Sequence, residues 1–201
     1  MKYSIFFRAF GYMLNHMTAK ATHKNKKAGT QVMHTYRAIV ERAADIGTHN
    51  TLLSSYALAA YFIAMNRENK TSPEENYQLL KEGMKSSKLL KAFLGDAKSY
   101  FSEKKMAARR DWAALTHDPD HCRKYPNDWV VDVVENEKDF VFGFNYTQCG
   151  VCKLCAQEGC PELASYLCRL DFMLVELIGI HLKRTKTLAD GGDCCDFRFY
   201  S

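Results

Sequence analysis

The sequence predicts an α+β fold: N-terminal helices followed by a small antiparallel sheet of about four strands, with two helices inserted between its two hairpins. Three observations predict it. Apolar residues of the first two-thirds recur at helical spacing. From Trp129 the period changes to two, and β-branched and aromatic residues take over. After Gly179 a helical pattern gives way to extended sequence a second time. The chain has 201 residues, 47% of them hydrophobic and 12% aromatic, enough for one domain with a sizeable core. We expect an amphipathic helix and basic linker over residues 1–28 and a single domain over 29–201, helical to 126 and sheet-containing from 127.

The first helix carries Phe6, Ala9, Phe10, Met13, Leu14 and Met17 on one face. Such a face suits docking onto the core or a second subunit better than lying on a membrane. Residues 20–29 are polar and basic and read as the linker. The second helix presents Val32, Tyr36, Ile39, Val40 and Ala43 and stops near Gly47. The third, from about Asn50, is apolar almost all round through Leu52, Leu53, Tyr56, Leu58, Ala59, Phe62 and Ile63, so it should be covered on most sides. The fourth has a full start signal: Ser72 as cap, Pro73 at the first helical position, Glu75 closing a capping box. Helical pattern resumes from Leu89 toward Trp112, and residues 117–127, with two prolines, read as a loop.

Residues 129–134 are rich in β-branched residues, and Phe140, Phe142, Phe144 and Tyr146 alternate with Val141, Gly143 and Asn145. These make the first hairpin, turning at residues 135–138. A short helix follows over 149–159. A second opens at Pro161 and runs through Leu163, Leu167, Leu170, Leu174 and Leu177 to Gly179. Residues 180–188 and 194–200 form the second strand pair around the turn 189–193.

The net charge is +5, but the basic runs 20–27 and 104–110 fall in the linker and on a helix, so no nucleic acid is expected as a partner. Arg8 interrupts the N-terminal apolar run and no small-residue cleavage site follows, unlike a signal peptide. The apolar run at residues 52–65 is shorter than the roughly 20 residues a bilayer span needs. We expect a cytoplasmic protein without a membrane partner, its eight cysteines reduced.

Seven of those cysteines lie in the final 53 residues. Cys149, Cys152, Cys155 and Cys160 form C-x2-C-x2-C-x4-C-P, one residue away from a bacterial iron–sulfur run. Thiolates at this density could hold zinc or a cluster, but the spacing fits neither well, and no cofactor or metal is expected. A catalytic thiol must be ionised. Cys160 precedes a helix start, and Cys195 follows a glycine-rich turn. His181 is the one histidine of this third and either serves a thiol or is a surface strand residue. Arg184, Thr185, Thr187 and Arg198 could gather around a substrate carboxylate, or could form a cross-strand ladder with Asp196. Asp171 is an acid in an apolar stretch, either paired with an arginine or raised in pKa for acid–base work.

The run Cys160-Pro161-Glu162-Leu163-Ala164, then Leu167-Cys168, Asp171, Arg184-Thr185-Lys186-Thr187-Leu188-Ala189, Gly191-Gly192 and Cys195-Asp196-Phe197-Arg198 strongly resembles L-2-amino-thiazoline-4-carboxylic acid hydrolases. The likeness covers about residues 127–200 well, the helical part from about Asn50 loosely, and the first 30 residues hardly at all. It implies hydrolytic opening of a five-membered thiazoline ring to a carbamoyl-cysteine, in cysteine biosynthesis. In that chemistry Asp171 would be the acid–base, Cys160 or Cys195 a nucleophile, Arg184 or Arg198 the carboxylate binder and Thr187 an orienter. The sequence is also similar to small-molecule-binding domains of the bacterial 4-vinyl reductase type, which would make it a non-catalytic binding module. A small molecule is the partner expected, and a homo-oligomer is left open.

Overall fold

The computed structural model describes residues 1–22, 26–47, 52–135 and 140–200. In chain order the elements are α1 (Ile5–Thr22), α2 (Lys26–Arg42), α3 (Leu53–Glu68), α4 (Pro73–Lys85), α5 (Lys88–Leu94), α6 (Ala97–Tyr100), α7 (Glu103–Thr116) and α8 (Pro119–Lys124). Then follow β1 (Val130–Val134), β2 (Phe142–Gln148), α9 (Gly150–Gln157), α10 (Leu163–Glu176), β3 (His181–Lys183) and β4 (Cys195–Tyr200). The four strands form one antiparallel sheet in the order β1-β2-β4-β3. The α+β expectation holds, with α9 and α10 between the two halves of the sheet.

Helix α3 is the core of the helical layer. All ten residues from Tyr56 to Met65 are buried, as its all-round apolar composition requires. Helix α1 docks on this core through Phe7, Phe10, Leu14 and Met17. Its approach to α4 is close: a Cβ at Gly83 would lie 2.7 Å from the Met17 carbonyl oxygen, so only glycine fits there. The five apolar residues expected on α2 are all buried. At α4, Ser72 Oγ accepts from Glu75 N and the Glu75 carboxylate accepts from Ser72 N, the capping box read from the sequence.

Four expectations are corrected. The 20–29 linker is helical at both ends, because α1 runs to Thr22 and α2 starts at Lys26; residues 23–25 lie outside the described residues. The run from Leu89 is broken into α5, α6 and α7 at Gly95, whose φ of 83° ends α5, and near Ser102. The 117–127 loop holds α8, whose N-cap Asp118 accepts from Asp120 N and His121 N. The strand expected at 180–188 pairs only over three residues, since beyond Lys183 the chain is held by the Asp196 carboxylate and then turns as a 3-10 segment, Leu188–Asp190. Residues 136–138 of the first hairpin's turn, and Asn50 ahead of α3, lie outside the described residues.

The strand register decides which face of the sheet meets the helices. Phe142, Phe144 and Tyr146 pair with Phe199, Phe197 and Cys195, so these six share one face. That inner face is an aromatic ladder, with Phe144 and Tyr146 centroids 5.4 Å apart and Tyr146 and Phe197 5.2 Å apart. Asn145, Asp196 and Arg198 fall on the outer face.

Candidate active site

A cavity of about 540 Å³ lies between the inner sheet face and the helices, within the size range of small-molecule sites. Its floor is Tyr146, Cys195, Phe197 and Phe199 from the sheet. One wall is α10, through Leu167, Cys168, Asp171 and Leu174. Cys149 and Val151 at the start of α9 close a corner, and Phe93, Leu94, Tyr100, Lys105 and Arg109 from α5 to α7 form the opposite side. The lining is mostly apolar, with one acid, two cations, three thiols and two phenols converging on it.

Asp171 is the acid. Arg184 Nη1 donates to Asp171 Oδ2 at 2.7 Å, and Arg184 Nη2 donates to the Cys168 carbonyl at 2.9 Å. The guanidinium sits 4.9 Å from the ring centroids of both Phe172 and Phe197, and its side chain is only 5% exposed. Burial raises the Asp171 pKa to about 6 against the opposing pull of Arg184. Both sequence alternatives for Asp171 therefore hold together: it is paired with an arginine and raised.

The thiols differ. Cys195 Sγ accepts from Leu188 N at 3.2 Å, yet burial pushes this thiol up to about 11. Burial also raises Cys168. Cys149 is the N-cap residue of α9 and goes the other way. The adjacent Cys152 thiol lowers its pKa most, burial opposes, and the first-turn N–H groups of Cys152 and Val151 add to the lowering. Sequence reading passed over Cys149 because it was tested only as one of four metal ligands. Its position in front of a helix, followed by Gly150, was the available signal.

The cations also differ from expectation. Arg109 donates through Nη1 to the Tyr100 carbonyl at 2.7 Å and stacks 3.9 Å over the Tyr100 ring. Among the described residues it has no carboxylate partner. Lys105, one helical turn earlier, lines the same side. Tyr146 lines the cavity with its hydroxyl engaged by no described residue. Burial first, then Tyr100 and Asp171, hold that hydroxyl protonated.

The other expected site residues lie outside the cavity. Arg198, on the outer face, donates to the Phe144 and Phe197 carbonyls and to Asn145 Oδ1. Thr185 N and Oγ1 donate to Asp196 at 2.9 and 2.6 Å. Thr187 caps the 3-10 segment, accepting from Asp190 N and donating to Asp190 Oδ2. Both threonines thus fix the loop that carries Arg184. Cys160 is raised by burial and sits near Arg67, Glu158 and Glu162. His181 is exposed on β3, its ring against Tyr200. Among the described residues, no three His, Cys, Asp or Glu side chains are grouped to hold a metal ion, and no helix is long and apolar enough to cross a membrane.

Neither the search of curated proteins nor the search of solved structures returned a match. The family profile described as L-2-amino-thiazoline-4-carboxylic acid hydrolase does match, over residues 50–199. That span takes in α3 and everything that lines the cavity, and it extends well beyond the cysteine-marked third on which the sequence resemblance was strongest. The chain belongs to the L-2-amino-thiazoline-4-carboxylic acid hydrolase family.

Proposed function

We propose that this protein hydrolyses the ring of 2-aminothiazoline-4-carboxylate, or of a closely related small cyclic amidine amino acid, to a carbamoyl-cysteine. The observation that carries the reading is Asp171: a carboxyl raised to about 6, locked by a buried arginine, lining a ligand-sized cavity. Family membership supports the same chemistry.

The amidine carbon is attacked and becomes tetrahedral, its C=N electrons passing to nitrogen. Near neutral pH Asp171 is mainly the carboxylate, the form that takes a proton from water, and the acid so formed protonates the departing ring atom. Arg184 keeps Asp171 oriented and partly ionised. The Tyr146 hydroxyl can donate to the oxygen that forms on the attacked carbon. Arg109, with Lys105 beside it, is the cation placed to receive the substrate carboxylate. Addition of one water balances the reaction, which needs only water and side chains of this chain.

Incubating the protein with each enantiomer of 2-aminothiazoline-4-carboxylate and analysing the mixture by mass spectrometry tests the proposal. The expected product is the substrate plus one water. A thiol reagent then assigns the broken bond, since the N-carbamoyl product carries a free thiol and the S-carbamoyl product a free amine. Absence of product from either enantiomer and from related cyclic amidines would overturn the reading.

A further inference from the structure

We infer that Cys149 is the nucleophile of the cavity, attacking the amidine carbon to form a transient covalent adduct through its sulfur. This deepens the hydrolase reading and rests on it. Three features other than acidity single out Cys149. It lines the cavity that Asp171 also lines, as Cys168 and Cys195 do and Cys160 does not. It is the N-cap of α9, so its sulfur stands at the end of the helix where N–H groups favour negative charge. Its backbone is held by close packing: a Cβ on Gly150 would lie 2.7 Å from the Trp129 ring and 2.9 Å from the Asn127 carbonyl oxygen. No cap hydrogen bond closes on the Cys149 side chain. Cys195, one of the two nucleophiles the sequence suggests beside Cys160, has its thiol raised to about 11 by burial.

The step balances. The Asp171 carboxylate takes the Cys149 thiol proton, the sulfur bonds to the amidine carbon, and the ring nitrogen receives the C=N electron pair and that same proton from Asp171. The tetrahedral adduct expels the ring sulfur, leaving an isothiouronium group on Cys149, or the ring nitrogen, leaving a dithiocarbonimidate. Water adds to that carbon, Asp171 takes its proton, and Cys149 departs as thiolate with the carbamoyl product released. The titratable groups around Cys149 are Cys152 and Cys155 on α9, Asp171 and Cys168 on α10, Cys195 on β4 and Tyr146 on β2.

Three measurements on the full chain test this. Limiting iodoacetamide near neutral pH, followed by peptide mass mapping, should label Cys149 before Cys168 or Cys195. Acid quench of a single turnover should leave a mass increase of one substrate on the Cys149 peptide. Cys149→Ser, checked for folding by circular dichroism, should lose product formation by about a thousandfold or more. A folded Cys149→Ser that keeps turnover within about tenfold of wild type overturns the inference and leaves the hydrolase reading standing. Wild-type protein that yields no product overturns the hydrolase reading. Labelling alone then decides the thiol: first alkylation at Cys149 upholds it as the cavity nucleophile, and first alkylation at Cys168 or Cys195 overturns it.

Discussion

Arg184 Nη1 meets Asp171 Oδ2 at 2.7 Å, and the arginine, not the acid, is the more deeply buried of the two, with side-chain exposures of 5% and 33%. The cation is walled off by Phe172 and Phe197, while the carboxylate lines the cavity. An ion pair arranged this way presents one tuned acid to a ligand and hides the charge that tunes it. This geometry favours Arg184 as a positioning residue for Asp171 over a role in receiving substrate, which the Arg184→Met variant tests.

Activity should accordingly depend on the ionised form of Asp171. Its pKa of about 6 lies above the ordinary aspartate value because of burial, so kcat/KM should rise with pH through about 6 and level off above. Asp171→Asn should lower kcat by about 10²- to 10⁴-fold and abolish that acid limb. A folded Asp171→Asn with full turnover would remove Asp171 from the chemistry.

Arg184→Met separates positioning from substrate binding. Without the guanidinium, only burial acts on Asp171, so its pKa rises and the acid limb of the pH–rate profile moves above 6. The Cys168 carbonyl also loses its donor, and thermal or denaturant unfolding should register about 1–3 kcal/mol of lost stability. KM should change little. A large rise in KM with an unmoved pH profile would instead make Arg184 the carboxylate binder.

Arg109 should show the opposite split. Arg109→Gln removes one of two cavity cations, with Lys105, that have no carboxylate partner among the described residues, so KM should rise about 10- to 100-fold with kcat nearly unchanged. An amide analogue of the substrate should gain nothing from Arg109. Steady-state kinetics with both compounds checks this, and equal losses for acid and amide would count against it.

The legible parts of the sequence were those where local chemistry decides structure. The Ser72-Pro73-Glu75 signal produced its helix, and the alternation from Phe142 to Tyr146 produced its strand. The same cap grammar stood at Asp118-Pro119, where two prolines and several polar residues masked a six-residue helix. In the site, Asp171 was legible because an acid between Leu170 and Phe172 demands a partner. Arg184 was legible as a cation but not as that partner, because pairing α10 with the end of β3 is set by tertiary packing. Arg198 was misplaced for a simpler reason. Strand period two puts it on the face opposite Cys195 and Phe197, and the sequence does not state which face meets the helices. Arg109 and Cys149 went unread because a basic helix and a cysteine cluster each have an ordinary explanation until a cavity brings them together.

Gly150 offers a last, structural check on the corner that carries Cys149. Glycine is required there by proximity, since an added Cβ would press on the Trp129 ring at 2.7 Å and on the Asn127 carbonyl at 2.9 Å. The backbone carbonyl cannot rotate away as a flexible side chain would, and Trp129 is itself packed edge-on against Tyr56 of α3. Gly150→Ala should therefore destabilise the fold by about 1–3 kcal/mol, the usual effect of overpacking, and displace the start of α9. The displacement matters more than the stability: moving the N-cap shifts Cys149 relative to Asp171, so kcat should fall even at temperatures where the variant is fully folded. Thermal unfolding monitored by circular dichroism, with turnover measured well below the transition, separates the two effects. A variant with wild-type stability and wild-type kcat would mean that the Trp129–Gly150 contact does not position the thiol.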